Sequence, residues 1–135
     1  IMLIGDSITD TIEILTIACI TCNLKLKINT FNKGQEGLNY LDTNSIKPDL
    51  ILLDLNLSDL DVDGYDILNQ IKSNHKTKIT PVVIATGESE YTIIDKCLKL
   101  QANDFIQTPL TVEGFKQMLR NCGMGSLLMN GGKNS

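Results

Sequence analysis

Short polar side chains fall where apolar runs stop: Asp6 in "LIGDS", Asp54 and Asn56 in "LLDLN", Thr86 in "IATGE" and Thr108 in "IQTPL". An ionised Asp54 closing a run as greasy as "LILLD" would be costly unless it reached water, a cation or hydrogen-bond donors. If the first, third and fourth of these runs lie side by side, Asp6 and Thr86 flank Asp54, because neighbouring strands are about 4.8 Å apart. Two carboxylates so close repel, and a cation relieves that repulsion. A hard cation is held by one or two carboxylates, waters and a phosphate. The constellation therefore suits a metal-bound phosphoryl group. Singly, each residue has a plainer use. A strand-end Asp often caps a loop or a following helix, and Thr86 alone could be a turn residue.

The elements that must position these residues alternate strand and helix five times. Leu50 to Leu53 reads as a strand covered on both faces, as in parallel sheets sandwiched between helices. The spacing predicts strands at Met2 to Ile4, Lys25 to Phe31, Leu50 to Asp54, "PVVIA" from Pro81, and "DFIQ". Helices are predicted over Thr9–Thr21, Gln35–Leu41, Tyr65–Lys72, Ser89–Leu100 and Val112–Asn121. The second is weak, since Gly37 lowers its propensity. Asn44 to Pro48 reads as a turn, and "LNLSDLDVDG" as a loop. This order implies an α/β fold: a doubly wound five-stranded parallel sheet with helices on both faces and right-handed crossovers. In such sheets ligands bind beyond the carboxyl ends of the strands, which is where Asp6, Asp54, Thr86 and Thr108 fall.

The chain has 135 residues, 42% of them apolar and 21% charged, as suits one globular domain. The net charge of −4 argues against nucleic-acid binding by this segment. No apolar run approaches the roughly 18 residues of a membrane span, and no basic leader precedes one, so the cytoplasm is expected. Cys19 and Cys22 form a C-x-x-C late in the first helix, not at the strand-to-helix turn of a redox pair. With no second close pair, a structural zinc site lacks ligands, so the four cysteines are expected to pack as small hydrophobes. His75, in "KSNHKTK", is expected to face solvent. After Asn121, "CGMGSLLMNGGKNS" is glycine-rich and aperiodic. Residues 1–121 are expected to form the domain and 122–135 a flexible tail or linker.

The ordered set "IGDS", "LLDLNL", "IATGE" and "DFIQTPL", spanning about residues 2 to 121, resembles the receiver domain of two-component response regulators. The resemblance implies a flavodoxin-like sheet of order 2-1-3-4-5. It implies that Asp54 accepts a phosphoryl group from a histidine kinase or histidine phosphotransfer protein. It further implies Mg²⁺ held by Asp6, Asp54 and the backbone carbonyl of Asn56. Thr86 becomes the hydroxyl that moves toward the phosphoryl oxygen, Phe105 the aromatic switch, and Thr108 the residue at the strand-five position facing the phosphoryl group. The chemistry is attack by a carboxylate, with the metal neutralising charge on the transferred group. Such a module switches a protein-interaction surface and is not an enzyme.

Three positions depart from the family pattern. Gly5 stands where a second acidic residue is usual, and Thr108 where a Lys is usual. Ser58 replaces a common proline in a loop about two residues longer before Gly64. Slow, short-lived or poorly coupled phosphorylation is the expected result. Gly5 and Thr108 also fit a pseudo-receiver, an interaction module read without phosphorylation. "DLNLS" at 54–58 faintly resembles the motif of aspartate-nucleophile phosphohydrolases, but the acid/base Asp would be Asn56 and the motif lies on the third strand. "SITDT" at 7–11 resembles a flavodoxin phosphate loop, but Asp6 and Asp10 would repel the phosphate. Phe105 by itself reads as core. The cognate kinase and the downstream effector are not legible, and no effector domain is visible.

Overall fold

The two most apolar runs become the two central strands. In the computed structural model, which describes residues 2–4, 8–22, 27–43, 47–54, 64–86, 91–107 and 110–125, the strands are β1 (Met2–Ile4), β2 (Asn29–Phe31), β3 (Ile51–Asp54), β4 (Val82–Thr86) and β5 (Asp104–Gln107). They alternate with α1 (Ile8–Thr21), α2 (Gly34–Thr43), α3 (Gly64–Ser73), α4 (Tyr91–Lys99) and α5 (Val112–Asn121). The sheet order is β2-β1-β3-β4-β5, and the pairings are all parallel. This is the doubly wound sheet that the alternation of the sequence implies.

Strand pleating sorts the core into two layers. Ile51 and Leu53 of β3, with Val82 and Ile84 of β4, pack against α2, α3 and α4 through Leu41, Ile67, Leu68, Ile71 and Cys97. Leu50 and Leu52, with Val83 and Ala85, pack against α1 and α5 through Leu15, Ala18, Phe115, Met118 and Leu119. Every residue of β4 is buried, which explains a strand with no polar alternation.

Some boundaries differ from the sequence reading. β2 is three residues long, not seven. It pairs only with β1, and the three residues of β1 take up Asn29 to Phe31 in register. Residues 25 and 26, with which the longer strand would begin, lie outside the described residues, as does the centre of the turn at 44–46. α2 runs two residues further than expected and starts at Gly34. Gly34, Gly37 and Leu41 form its buried side, and packing of that side outweighs the low propensity of glycine. α4 starts at Tyr91, and residues 87–90 lie outside the described residues. Pro81 immediately precedes β4, and its carbonyl accepts from the Ile51 amide at 2.9 Å.

α5 matches its expected span, and both of its ends are specified locally. Thr111 is the N-cap, with φ −114° and ψ 164°, and its hydroxyl accepts from the Gly114 amide at 3.0 Å. At the other end Gly123 adopts φ +78°, a conformation cheap only for glycine. The Met124 amide then donates to Leu119 O at 2.7 Å and the Gly123 amide to Arg120 O at 3.2 Å. These are the two bonds of a Schellman stop. Met124 packs against the α1/α5 layer. The glycine that announces a tail in the sequence therefore first serves as a helix terminator, and the packed structure runs past residue 121.

α3 is fastened to the sheet by a buried lysine. Lys72 is 9% exposed. Its ammonium donates to Thr80 O at 2.7 Å, Asn103 Oδ1 at 2.8 Å and Lys78 O at 3.2 Å. Asn103 Oδ1 also accepts from the Val82 amide at 2.9 Å. Beside it, the Thr77 hydroxyl donates to Ile71 O at 2.7 Å. One cation thus joins the end of α3 to the starts of β4 and β5.

Candidate functional site

β3 and β4 run side by side and stop together, and this builds what is described of the site. Asp54 is the last residue of β3, half-buried, and stands in register with Ala85. Pleating puts its Cβ on the side of Leu52, toward α1 and α5. Ala85 lies on the same side and offers only a methyl group beside the carboxylate. The next residue of β4 is Thr86, the last of its strand and 3% exposed. Asp54 and Thr86 therefore both stand at the carboxyl edge, one strand and one residue apart, with Thr86 on the opposite face of the sheet from Ala85.

Thr86 also connects outward. It is in register with Gln107 of β5, while Ile84 is in register with Phe105. Thr86 and Phe105 lie on the same face of the sheet, toward α4, as diagonal neighbours on adjacent strands. Phe105 is 40% exposed, because β5 is the edge strand; the reading of it as a core residue is thereby corrected. A side chain at that edge can change position without emptying the interior.

Asp6, Asn56 and Thr108, together with Gly5 and Pro109, lie outside the described residues. β1 ends at Ile4, in register with Leu53, so β1 is the neighbour of β3 on the side away from β4. Among the described residues no group of three His, Cys, Asp or Glu comes together to hold a metal ion. The chain places no Lys or Arg directly after β1, β3, β4 or β5: the following residues are Gly5, Leu55, Gly87 and Thr108.

The remaining expectations concern positions away from this edge. The four cysteines are free thiols; Cys97 is buried and the others half-buried. Burial pushes the Cys19, Cys97 and Cys122 thiols up, as fits packing residues and not nucleophiles. His75 is exposed. Lys72 is the residue that sequence reasoning missed. Its signal was helical spacing: it follows Leu68 by four positions on the stripe that buries Gly64, Ile67, Leu68 and Ile71. No helix among the described residues is long and apolar enough to cross a membrane.

The family model "Response regulator receiver domain" matches residues 2–120. Among curated proteins, the two-component response regulator ARR3 of Arabidopsis thaliana is 30% identical over 125 residues, covering 87% of this chain and 53% of that protein. The chain thus spans about half the length of that relative. Among solved structures, the Mn²⁺-bound form of response regulator Rcp1 superposes with TM-score 0.71 at 27% identity, over 87% of this chain and 86% of that one. The phosphorylated cyanobacterial phytochrome response regulator RcpA gives TM-score 0.72 at 27% identity, over 95% of this chain and 91% of that one.

Proposed function

Since this chain belongs to the response regulator receiver family, a family of two-component signalling modules, we propose that it accepts a phosphoryl group on Asp54. The observation that carries the reading is a half-exposed carboxylate closing a buried central strand, with the buried Thr86 hydroxyl at the end of the adjacent one. The donor is a histidine kinase or histidine phosphotransfer protein. A carboxylate oxygen of Asp54 attacks phosphorus, the P–N bond to the donor imidazole breaks, and the nitrogen keeps the electron pair. The phosphorylation in RcpA and the metal in Rcp1 make the same chemistry a natural expectation here.

Asp54 supplies the oxygen donor that a hard cation takes, so the part of the site that is described fits Mg²⁺. Asp6, Asp54 and the carbonyl of Asn56 would hold it. Bound there, the ion neutralises charge on the transferred group. Thr86 offers its hydroxyl to the phosphoryl oxygen. Because Thr86 and Phe105 share one face of β4 and β5, the movement is read out on the surface formed by α4, β5 and α5. Residues 1–121 act as the receiver, the segment works in the cytoplasm, and it binds neither nucleic acid nor membrane directly.

The pseudo-receiver is the second reading. What favours it is Gly5 and Thr108 in place of an acid and a lysine. Intact-mass measurement after incubation with acetyl phosphate and Mg²⁺ separates the two. One added phosphoryl mass, absent in Asp54→Asn, is expected. No gain in the wild type, or a gain that persists in the variant, defeats the assignment.

A further inference from the structure

α2 and α3 pack over the same face of the sheet, and a cavity of about 220 Å³ opens between them. Its floor is apolar: Leu41 and Ile71 are buried and Leu38 half-buried. Its walls are carboxamides. Gln35 and Asn39 are four apart on α2, and Gln70 and Asn74 four apart where α3 ends, so each pair shares one side of its helix. Asp42, three residues after Asn39, adds a carboxylate.

Two of the carboxamides are braced from within the chain. Gln35 Nε2 donates to Asn39 Oδ1 at 3.0 Å, and Asn74 Oδ1 accepts from the Lys76 amide at 2.9 Å. The Gln35 oxygen stays an acceptor, and Gln70 brings another. Asp42 is the one charged residue of the lining, and among the described residues it makes no ion pair. The groove therefore sets one negative charge and several carbonyl-type acceptors above a greasy floor. Arginine answers each of these features. Its guanidinium offers five donors in one plane and is weakly hydrated, and its methylene stem packs along apolar surface. The cavity is smaller than the roughly 300–1,000 Å³ of pockets that enclose drug-sized ligands, which suits one side chain and not a cofactor. Gln35, Asn39, Asp42 and Gln70 are exposed, so the mouth is open and the main chain that bears the arginine can stay outside.

We propose that this groove takes an arginine side chain of a protein partner, with Asp42 and Gln70 on the guanidinium and Leu38, Leu41 and Ile71 under the stem. The surface is separate from α4, β5 and α5, and its occupation does not depend on phosphorylation of Asp54.

The test is an NMR titration of the full chain with N-acetyl-arginine N-methylamide, followed on the side-chain amides of Gln35, Asn39, Gln70 and Asn74. Saturable shifts are expected. The citrulline analogue keeps the shape and loses the charge, and should bind about five-fold more weakly, the upper worth of an exposed ion pair. Asp42→Asn should weaken arginine binding by the same factor. The lysine analogue and methylguanidinium, which lacks the stem, should also bind more weakly. Exposed Glu36→Gln, on α2 but outside the groove, is the control and should leave the affinity unchanged. Absence of saturable shifts overturns the proposal. So does an affinity for the citrulline or lysine analogue, or of Asp42→Asn for arginine, equal to that of the wild type for arginine. Equal affinity for methylguanidinium would make a free small cation the occupant and overturn it too.

Discussion

Replacing Lys72 with methionine tests the fastening of α3 to the sheet. Methionine keeps most of the stem and removes the ammonium, and with it three hydrogen bonds at 2.7, 2.8 and 3.2 Å. The losses are unequal. Asn103 Oδ1 keeps the Val82 amide, and Lys78 is exposed, so its carbonyl can turn to water. Thr80 is buried, and its carbonyl loses a close donor. A buried acceptor stripped of its partner costs about 1–3 kcal/mol, so a loss of about 2 kcal/mol is expected. For a domain of this size that lowers Tm by about 8 °C. Exposed Lys76→Met is the control and should stay within about 0.5 kcal/mol of wild type. Urea unfolding followed by far-UV circular dichroism measures both. The pH dependence adds a sign. Desolvation lowers the Lys72 pKa from its ordinary value of 10.5. Between the lowered value and 10.5 the unfolded chain binds more protons than the folded one, so this group's contribution to stability rises with pH there. Methionine has no such term, so the gap between the proteins is flat at lower pH and widens as pH climbs toward 10.5. A variant within 0.5 kcal/mol of wild type, or a gap that narrows with rising pH, refutes the reasoning.

Thr111→Ala removes the side-chain acceptor at the start of α5 and should cost about 1 kcal/mol, read as a lower urea midpoint with unchanged slope. Gly5→Asp restores a carboxylate beside Asp6 and should tighten Mg²⁺ binding; an unchanged or weaker affinity by titration counts against the ligand set. Thr108→Lys adds a charge-assisted hydrogen bond to the phosphoryl group, about 1–2 kcal/mol stronger than a neutral one, or roughly ten-fold in a population ratio. With beryllium fluoride and Mg²⁺ bound, NMR signals around Thr86 and Phe105 should move further toward a second state than in wild type. If they do not, the pseudo-receiver reading moves ahead.

The parts of the fold legible in the sequence are those set by burial on two faces. Leu50 to Asp54 and Val82 to Thr86 are short apolar runs of strand length bounded by turn residues, and the α5 stripe has helical spacing. The edges were less legible. The length of β2 depends on the three residues of β1 opposite it, and the extent of α2 on a glycine-lined packing surface, neither of which is written in local propensity. Lys72 sits in a polar stretch that reads as solvated, although its spacing belongs to the buried stripe. Phe105 read as core because an aromatic in a strand usually is, but β5 is the last strand of the sheet. Of the candidate site, Asp54 and Thr86 both close neighbouring strands at one edge, as their positions in the sequence imply. Asp6, Asn56 and Thr108 remain expectations from sequence.

The sheet's outer rims bear on how this chain behaves in company. Only an outermost strand can offer unpaired amides and carbonyls to another molecule, and here those strands are three and four residues long. Short rims are poor templates for strand addition, and the two greasiest segments, in β3 and β4, are enclosed between them. That protection exists only after folding. β3 and β4 are distant in sequence and pair in parallel, so their contacts wait on the α3 crossover. Until it forms, both segments are available to neighbouring chains, and self-association competes with folding in proportion to concentration.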